Sequence, residues 1–167
     1  MQRHEVAFDV GAPVHRVWRL FHPKTPPDAV VPRTFEHPNG SITILRDGDE
    51  DGAGLVRTCT FPVPRWLLSG GVARSWEVVT AARRNEFASY EAVGKPLWSE
   101  ATGSHTLEPI DGGEGTRLTF VETYHAHNPL LRALFEARVH RFISRDNGRT
   151  YESVLGHLGP VRRVPSR

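Results

Sequence analysis

One long amphipathic helical pattern in the last third of the chain limits the available folds more than any other feature. From Pro129 to about Leu158, apolar residues recur at helical spacing, with Asn128 as a suitable N-cap and Gly159-Pro160 after the end. Strand-like segments precede it, with little helix between them. Since one long helix has a single apolar stripe to bury, a sheet is its only large partner, and a curved sheet around a helix encloses space. The pattern therefore predicts a cavity for a small molecule.

The residues before this helix predict one half-buried strand, a short helix and a meander of strands. Val6, Phe8 and Val10 alternate with polar neighbours, and Pro13 begins a helical pattern. Turn residues separate the later strand-like runs, as in antiparallel pairs. These runs are 41–46, 55–61, 72–80, 86–93, 99–108 and 116–125. We predict an α+β fold, in which a curved antiparallel sheet of about six or seven strands wraps a long C-terminal helix, with one or two short helices after the first strand.

Length and composition favour one folded domain. The chain has 167 residues, of which 38% are hydrophobic and 24% charged, and this is enough for one core. We assign residues 1–160 to this domain and residues 161–167 to a basic, flexible tail. The formal net charge of +2 is too small to indicate a nucleic-acid partner. Without an apolar signal segment or a run of membrane-spanning length, we expect a cytoplasmic monomer or homodimer.

Part of the sequence resembles a known superfamily. The segment from Val6 to Trp18, with an Ala-Pro turn before a helix that carries Val-Trp, resembles the opening of START-like, or SRPBCC, proteins. That superfamily includes polyketide cyclase/dehydrase-like and pollen-allergen-like proteins. The stretch Gly115 to Phe120 and the final helix are also similar to it. The resemblance implies a helix-grip fold and apolar or amphipathic ligands such as lipids, polyketides, sterols or aromatic hormones. It implies no universal catalytic residue.

Aromatic residues of the strands and the helix stripe are candidates for the cavity wall, which we expect to be mainly apolar. Arg138 lies between Phe135 and Val139 on this stripe. There it can pair with Glu122 or a ligand carboxylate, or its head can extend to water. The predicted ligand-binding residues are Trp76, Tyr90, Trp98, Phe120, Tyr124, Phe135, Arg138, Val139 and Phe142.

One histidine and several glutamates are candidates for acid–base chemistry. His105 lies in mid-strand beside Leu107, where it can move a proton near an enolisable carbonyl. Glu77, Glu91 and Glu122 can act as bases if the cavity raises their pKa values. They face solvent instead if the register differs by one residue. We name His105 and Glu122 as the catalytic candidates.

Two patterns resemble metal sites, but neither is complete. His125, His127 and His140 lack a local zinc signature. Residues 47–52 match the first half of a calcium loop, but Thr58 stands where the loop needs a glutamate. The single cysteine excludes an internal disulfide and a multi-cysteine zinc site. We therefore expect neither a metal nor another cofactor.

Three functions remain open at this point. The leading one is binding of a hydrophobic or amphipathic small molecule of lipid, polyketide or aromatic type, as a carrier or sensor, between the sheet and the C-terminal helix. The alternative is an enzyme of the polyketide cyclase/dehydratase type that uses an acid or base in the cavity. The third is a regulatory or protein-interaction module, for which a filled core and an exposed apolar patch would be expected.

Overall fold

Nine strands form one antiparallel sheet within the residues that the structure, a computed structural model, describes. These residues are 2–23, 30–37, 40–65, 70–95 and 99–165. The strands are β1 Gln2–Val10, β2 Arg33–His37, β3 Gly40–Arg46, β4 Val56–Pro62, β5 Val72–Arg83, β6 Phe87–Lys95, β7 Ser99–Ile110, β8 Gly115–Ala126 and β9 Val161–Val164. Their order across the sheet is β2-β3-β4-β5-β6-β7-β8-β1-β9. Strands β2 to β8 thus form a meander, and β1 lies between β8 and β9.

Helices lie at both ends of the chain. Helix α1, Val14–Phe21, follows β1. After β8, α2 (Pro129–Leu131), a π-helical turn (Arg132–Glu136) and α3 (Ala137–Leu155) continue without a break, and we call residues 129–155 the C-terminal helix. Asn128 caps it, because its Oδ1 accepts hydrogen bonds from the first backbone amides. Among the described helices, none combines the length and the apolar character that crossing a membrane would need.

The predicted α+β fold with a sheet around a long helix is confirmed, with small differences in extent. The helix ends at Leu155 rather than at about Leu158, since Gly156 begins a turn in which the Leu158 amide donates to the Leu155 carbonyl. The sheet has two more strands than the upper prediction, because β2 and β9 extend its edges. One short helix, α1, follows the first strand in the described part of the chain.

The predicted flexible tail is corrected over residues 161–164. This segment is β9, which pairs antiparallel with β1. Its Arg162 donates to Asp9 at 2.8 Å, and Arg117 of β8 donates to the same carboxylate at 2.8 Å and 3.1 Å. A buried aspartate between two arginines therefore joins three neighbouring strands at this edge.

Two apolar clusters hold the C-terminal helix on the inner face of the sheet. The larger one includes Phe8 of β1, Trp18 of α1 and Leu155 of the helix. The smaller one contains Val63, Ala73, Tyr124 and Val139, with Phe142 packed against it. The clusters contact the helix near opposite ends, and the space between them is not filled by side chains.

Candidate functional site

A cavity of about 220 Å3 lies between the sheet and the C-terminal helix. Small residues on the inner face of the two central strands leave this space open. Ala92 and Gly94 of β6 pair in register with Ala101 and Ser99 of β7, and all four line the cavity. Since none of these side chains is longer than that of serine, they do not reach the helix, and a void remains in an otherwise packed interior.

The wall of this central cavity is mostly apolar. Leu20 and Phe21 at the end of α1, Ile42 of β3, Phe61 of β4 and Val154 of the C-terminal helix line it. Such a wall, interrupted by a few polar groups, is typical of pockets for small molecules, because apolar contact supplies affinity while polar groups fix the orientation.

One polar group of the wall consists of Tyr90, Glu122 and Asn147. The Tyr90 hydroxyl donates to Glu122 Oε1 at 3.1 Å, and Asn147 Nδ2 lies 3.5 Å from Oε2. Tyr90 of β6, Gly103 of β7 and Glu122 of β8 are aligned in register across three strands. The Tyr90 ring passes over Gly103, where a Cβ would collide with the ring. Glycine at this position therefore allows the hydroxyl to reach the carboxylate.

A second polar group contains a buried ion pair between neighbouring strands. Arg57 of β4 and Glu77 of β5 are register partners, and Arg57 Nε donates to Glu77 Oε2 at 2.8 Å. Ser75 Oγ donates to Glu77 Oε1 at 2.7 Å, and Arg57 Nη1 donates to the Phe21 carbonyl at 2.9 Å. The ion pair thus connects two strands with the end of α1.

The two cavity glutamates differ in ionisation. Burial raises the pKa of Glu122 to about 7, although the hydrogen bonds from Tyr90 and Asn147 oppose this shift. Burial would also raise the pKa of Glu77, but Arg57 and the Ser75 hydroxyl hold it below its ordinary value. At neutral pH, Glu77 is therefore ionised, whereas Glu122 exchanges a proton readily.

Two more titratable side chains on the wall stay neutral at this pH. Burial raises the pKa of the Cys59 thiol and raises that of the Tyr151 phenol well above its usual range. The Tyr151 ring packs on Phe120, with 4.8 Å between ring centroids, and on Phe21, with 5.7 Å. The Cys59 thiol hydrogen-bonds Glu77, and the Tyr151 hydroxyl can donate a hydrogen bond to a bound molecule while remaining uncharged.

Solved structures match this architecture over nearly its whole length, whereas no protein-family model and no curated protein sequence matches significantly. A START superfamily protein from Mycobacterium smegmatis superposes with a TM-score of 0.62 at 12% identity, over 93% of this chain and 97% of that one. Ara h 8.0201 gives a TM-score of 0.61 at 16% identity, over 94% and 97%. A protein from Chromobacterium violaceum gives 0.61 at 15% identity, over 95% and 97%. This chain has a START-like fold. At such identities the similarity establishes the fold and no activity.

Several predicted residues lie on or beside the cavity of this START-like fold. Tyr90, Tyr124 and the catalytic candidate Glu122 line it. Phe120 is buried in the larger apolar cluster, next to the Tyr151 ring. Val139 and Phe142 belong to the smaller cluster beside Tyr124. Trp98 falls outside the described residues.

Other predicted wall residues lie away from the cavity. Trp76 is 38% exposed on the outer face of the sheet, because it alternates with the inward-facing Ser75 and Glu77. Phe135 is 40% exposed, and Arg138 is also exposed. The buried residues of this part of the helix are Glu136, Val139 and His140. At about 100° per residue, Arg138 lies on the side of the helix opposite to them.

His105, the other catalytic candidate, lies in the core rather than on the cavity wall. Its Nε2 is 3.0 Å from His22 Nε2, so one ring donates to the other. The His22 ring stacks on Trp18, with centroids 4.1 Å apart. Burial lowers the pKa of His22 to about 3 and lowers that of His105 well below its ordinary value, and Arg57 contributes in both cases. This pair is neutral at physiological pH, and the sequence does not reveal it because 83 positions separate its members.

The three histidines considered as metal ligands do not form a metal site. His127 is exposed, His125 Nδ1 lies 3.6 Å from Glu136 Oε2, and His140 packs against Tyr124. Within the described residues, no three His, Cys, Asp or Glu side chains are arranged to hold a metal ion.

Proposed function

We propose that this protein binds an amphipathic small molecule in the central cavity and acts as a carrier or sensor of it. The observation that carries the proposal is the cavity itself, whose apolar wall bears one buried ion pair and one hydrogen-bonded carboxyl group. A small molecule rather than nucleic acid is the expected partner, because the formal net charge is only +2.

The cavity volume limits the size of the ligand. An apolar cavity of about 150 Å3 accommodates benzene, so a cavity of about 220 Å3 suits an apolar body of two fused rings. Burial of ~200 Å2 of apolar ligand surface contributes about 5 kcal/mol before the costs of association. Micromolar affinity is a reasonable expectation, once the polar groups offset part of those costs.

A cavity-filling variant tests this proposal. Ala101→Phe places a large ring in the cavity, whereas Thr102→Phe, the matched control, places it on the outer face of the same strand. Native mass spectrometry of the purified protein, followed by titration with naphthalene derivatives, measures binding. We expect Ala101→Phe to weaken binding at least about tenfold, and Thr102→Phe to leave it within about twofold. Unchanged binding by a folded Ala101→Phe variant would show that the ligand lies elsewhere.

A second candidate function is proton transfer, and the Glu122 carboxyl favours it. A group with a pKa of about 7 that faces an apolar cavity can both accept and donate a proton at neutral pH. Its partner Tyr90 could then stabilise an enolate oxygen. Solvent deuterium exchange at the carbon next to the carbonyl of 2-tetralone measures this activity. Glu122→Gln should abolish the exchange while binding persists, and His105→Gln should not. Equal exchange by wild type and Glu122→Gln would exclude this role.

A further inference from the structure

Glu122 is an acidic group of the cavity wall whose described hydrogen-bond donors are both neutral. They are the Tyr90 hydroxyl and the Asn147 amide. The other cavity carboxylate, Glu77, has Arg57 at 2.8 Å. Glu122 keeps part of its surface accessible, and it lines the cavity. A buried carboxylate without a counter-charge is unfavourable, so a ligand that brings the missing positive charge gains affinity.

Among the described residues, the titratable groups that line the cavity or pair with Glu122 across the sheet supply no free positive charge. They are Arg57 and Cys59 of β4, Glu77 of β5, Tyr90 of β6, Tyr124 of β8, His4 of β1 and Tyr151 of α3. Arg57 is neutralised by Glu77 and also donates to the Phe21 carbonyl. His4 is the register partner of Glu122, and burial and the nearby Arg163 of β9 lower its pKa, so the imidazole stays neutral. Arg163 itself is exposed to solvent. The thiol and the phenols are neutral because burial raises their pKa values.

On the described part of the cavity wall, the charges left at neutral pH are those of the Arg57–Glu77 pair, which cancel, and that of ionised Glu122. We infer that the ligand carries a protonated amine at its polar end and that this amine binds the Glu122 carboxylate, an inference that rests on the proposed binding function. The rings of Tyr90, Tyr124 and Tyr151 border the same space, and aromatic faces attract cations. A ligand carboxylate would instead meet Glu122 and Glu77.

Three probes with one apolar body test the inference. They are 2-(1-naphthyl)ethylamine, 2-(1-naphthyl)ethanol and 1-naphthaleneacetate, which are cationic, neutral and anionic at neutral pH. Isothermal titration calorimetry at about pH 8 should give the tightest binding for the amine, by at least about tenfold over the alcohol, and the weakest for the carboxylate. Glu122→Gln should weaken amine binding at least about tenfold and leave alcohol binding within about twofold. Glu91→Gln is the matched control, because it removes an exposed carboxylate from the outer face of the sheet.

The pH dependence of wild-type binding gives an independent readout that needs no variant. Since the pKa of Glu122 is about 7, its ionised fraction falls about tenfold between about pH 8 and about pH 6, and amine affinity should fall with it. The affinity for the alcohol should stay constant over the same pH range. If Glu122→Gln does not fold, as judged by circular dichroism, this pH series alone tests whether the amine binds the Glu122 carboxylate.

The outcomes separate this inference from the proposed function. Equal binding of amine and alcohol, or tighter binding of the carboxylate, would overturn the amine inference and leave the binding function intact. Amine binding that is insensitive to pH and to Glu122→Gln would overturn it as well. If none of the three probes binds, the proposed function fails, and the inference fails with it.

Discussion

The ring of Tyr90 covers Gly103 on the neighbouring strand, and no side chain fits beneath it. This contact sets the position of the Tyr90 hydroxyl, which donates to Glu122 on the next strand. Three residues on three strands thus form a single unit of the cavity wall, and its geometry depends on the absence of one methyl group.

Gly103→Ala should displace Tyr90 and destabilise the protein by about 1–3 kcal/mol, the usual cost of overpacking. It should also raise the pKa of Glu122 further, because the Tyr90 hydrogen bond now lowers it. Urea unfolding measures the stability. In a Tyr90→Ala background the same substitution should cost less than about 0.5 kcal/mol, since the ring is gone. Additive effects of the two substitutions would contradict this account.

Arg57→Met should destabilise the protein by about 3–5 kcal/mol, because it leaves the Glu77 carboxylate buried without its partner. The exposed pair Arg83–Glu86, with side chains 75% and 60% accessible, provides the control. Arg83→Met should change the free energy of unfolding by less than about 1 kcal/mol. Guanidinium unfolding curves compare the two variants. A similar small effect of both substitutions would mean that the Arg57 pair contributes little.

Acid should weaken the fold through His22 and His105. Both have folded-state pKa values below 6.5, so the unfolded chain binds protons first as the pH falls. The stability from neutral His22 is complete above about pH 6.5 and is lost toward its folded pKa of about 3. Between about pH 7 and about pH 5, His22 alone should account for about 2 kcal/mol.

Glu122 changes the pH dependence of stability in the opposite direction, because its folded pKa is raised from 4.5 to about 7. The stability that protonated Glu122 contributes is complete below about pH 4.5 and is lost as the pH rises toward about 7. The histidine effect must therefore be measured as a difference between wild type and His22→Gln/His105→Gln across the same pH range. The stability of wild type should fall more steeply toward acid than that of the double variant. Parallel pH profiles would show that the histidines do not contribute.

A ligand in the cavity should protect Cys59 from modification by a thiol reagent. This residue is the only cysteine of the chain and lines the cavity, so a mass shift of the intact protein reports its modification. Its raised pKa makes the reaction slow. Saturating naphthylethylamine should slow modification by methyl methanethiosulfonate at least about tenfold, by excluding the reagent. Equal rates with and without bound probe would place that probe outside the cavity.

Hydrophobic periodicity was sufficient to predict the strand meander and the C-terminal helix, since burial of one face repeats along each element. The sequence also predicts Tyr90, Tyr124 and Glu122 as site residues, and they lie on the cavity wall. Arg138 lies elsewhere, because the buried face of the helix carries Glu136 and His140 beside Val139, and an apolar pattern does not mark these two polar residues as buried.

Features that depend on strand register could not be predicted from the sequence. The Arg57–Glu77 pair joins residues on different strands, and a shift of one residue would turn both outward. The edge strand β9 is short and basic, so only its pairing with β1 and the contact of Arg162 with Asp9 distinguish it from a flexible tail. The alternating small residues on β6 and β7 were the one local sign of the cavity's position, and they are recognisable once the two strands are in register.

The space above those small residues also has a thermodynamic consequence. At about 24 cal/mol per Å3 of void, a cavity of about 220 Å3 lowers the stability of the empty protein by about 5 kcal/mol relative to a filled core. Small domains have a total stability of only about 5–15 kcal/mol. A molecule that fills the void should therefore raise the melting temperature by several degrees, so that thermal-shift screening of compound libraries becomes a direct route to the natural ligand.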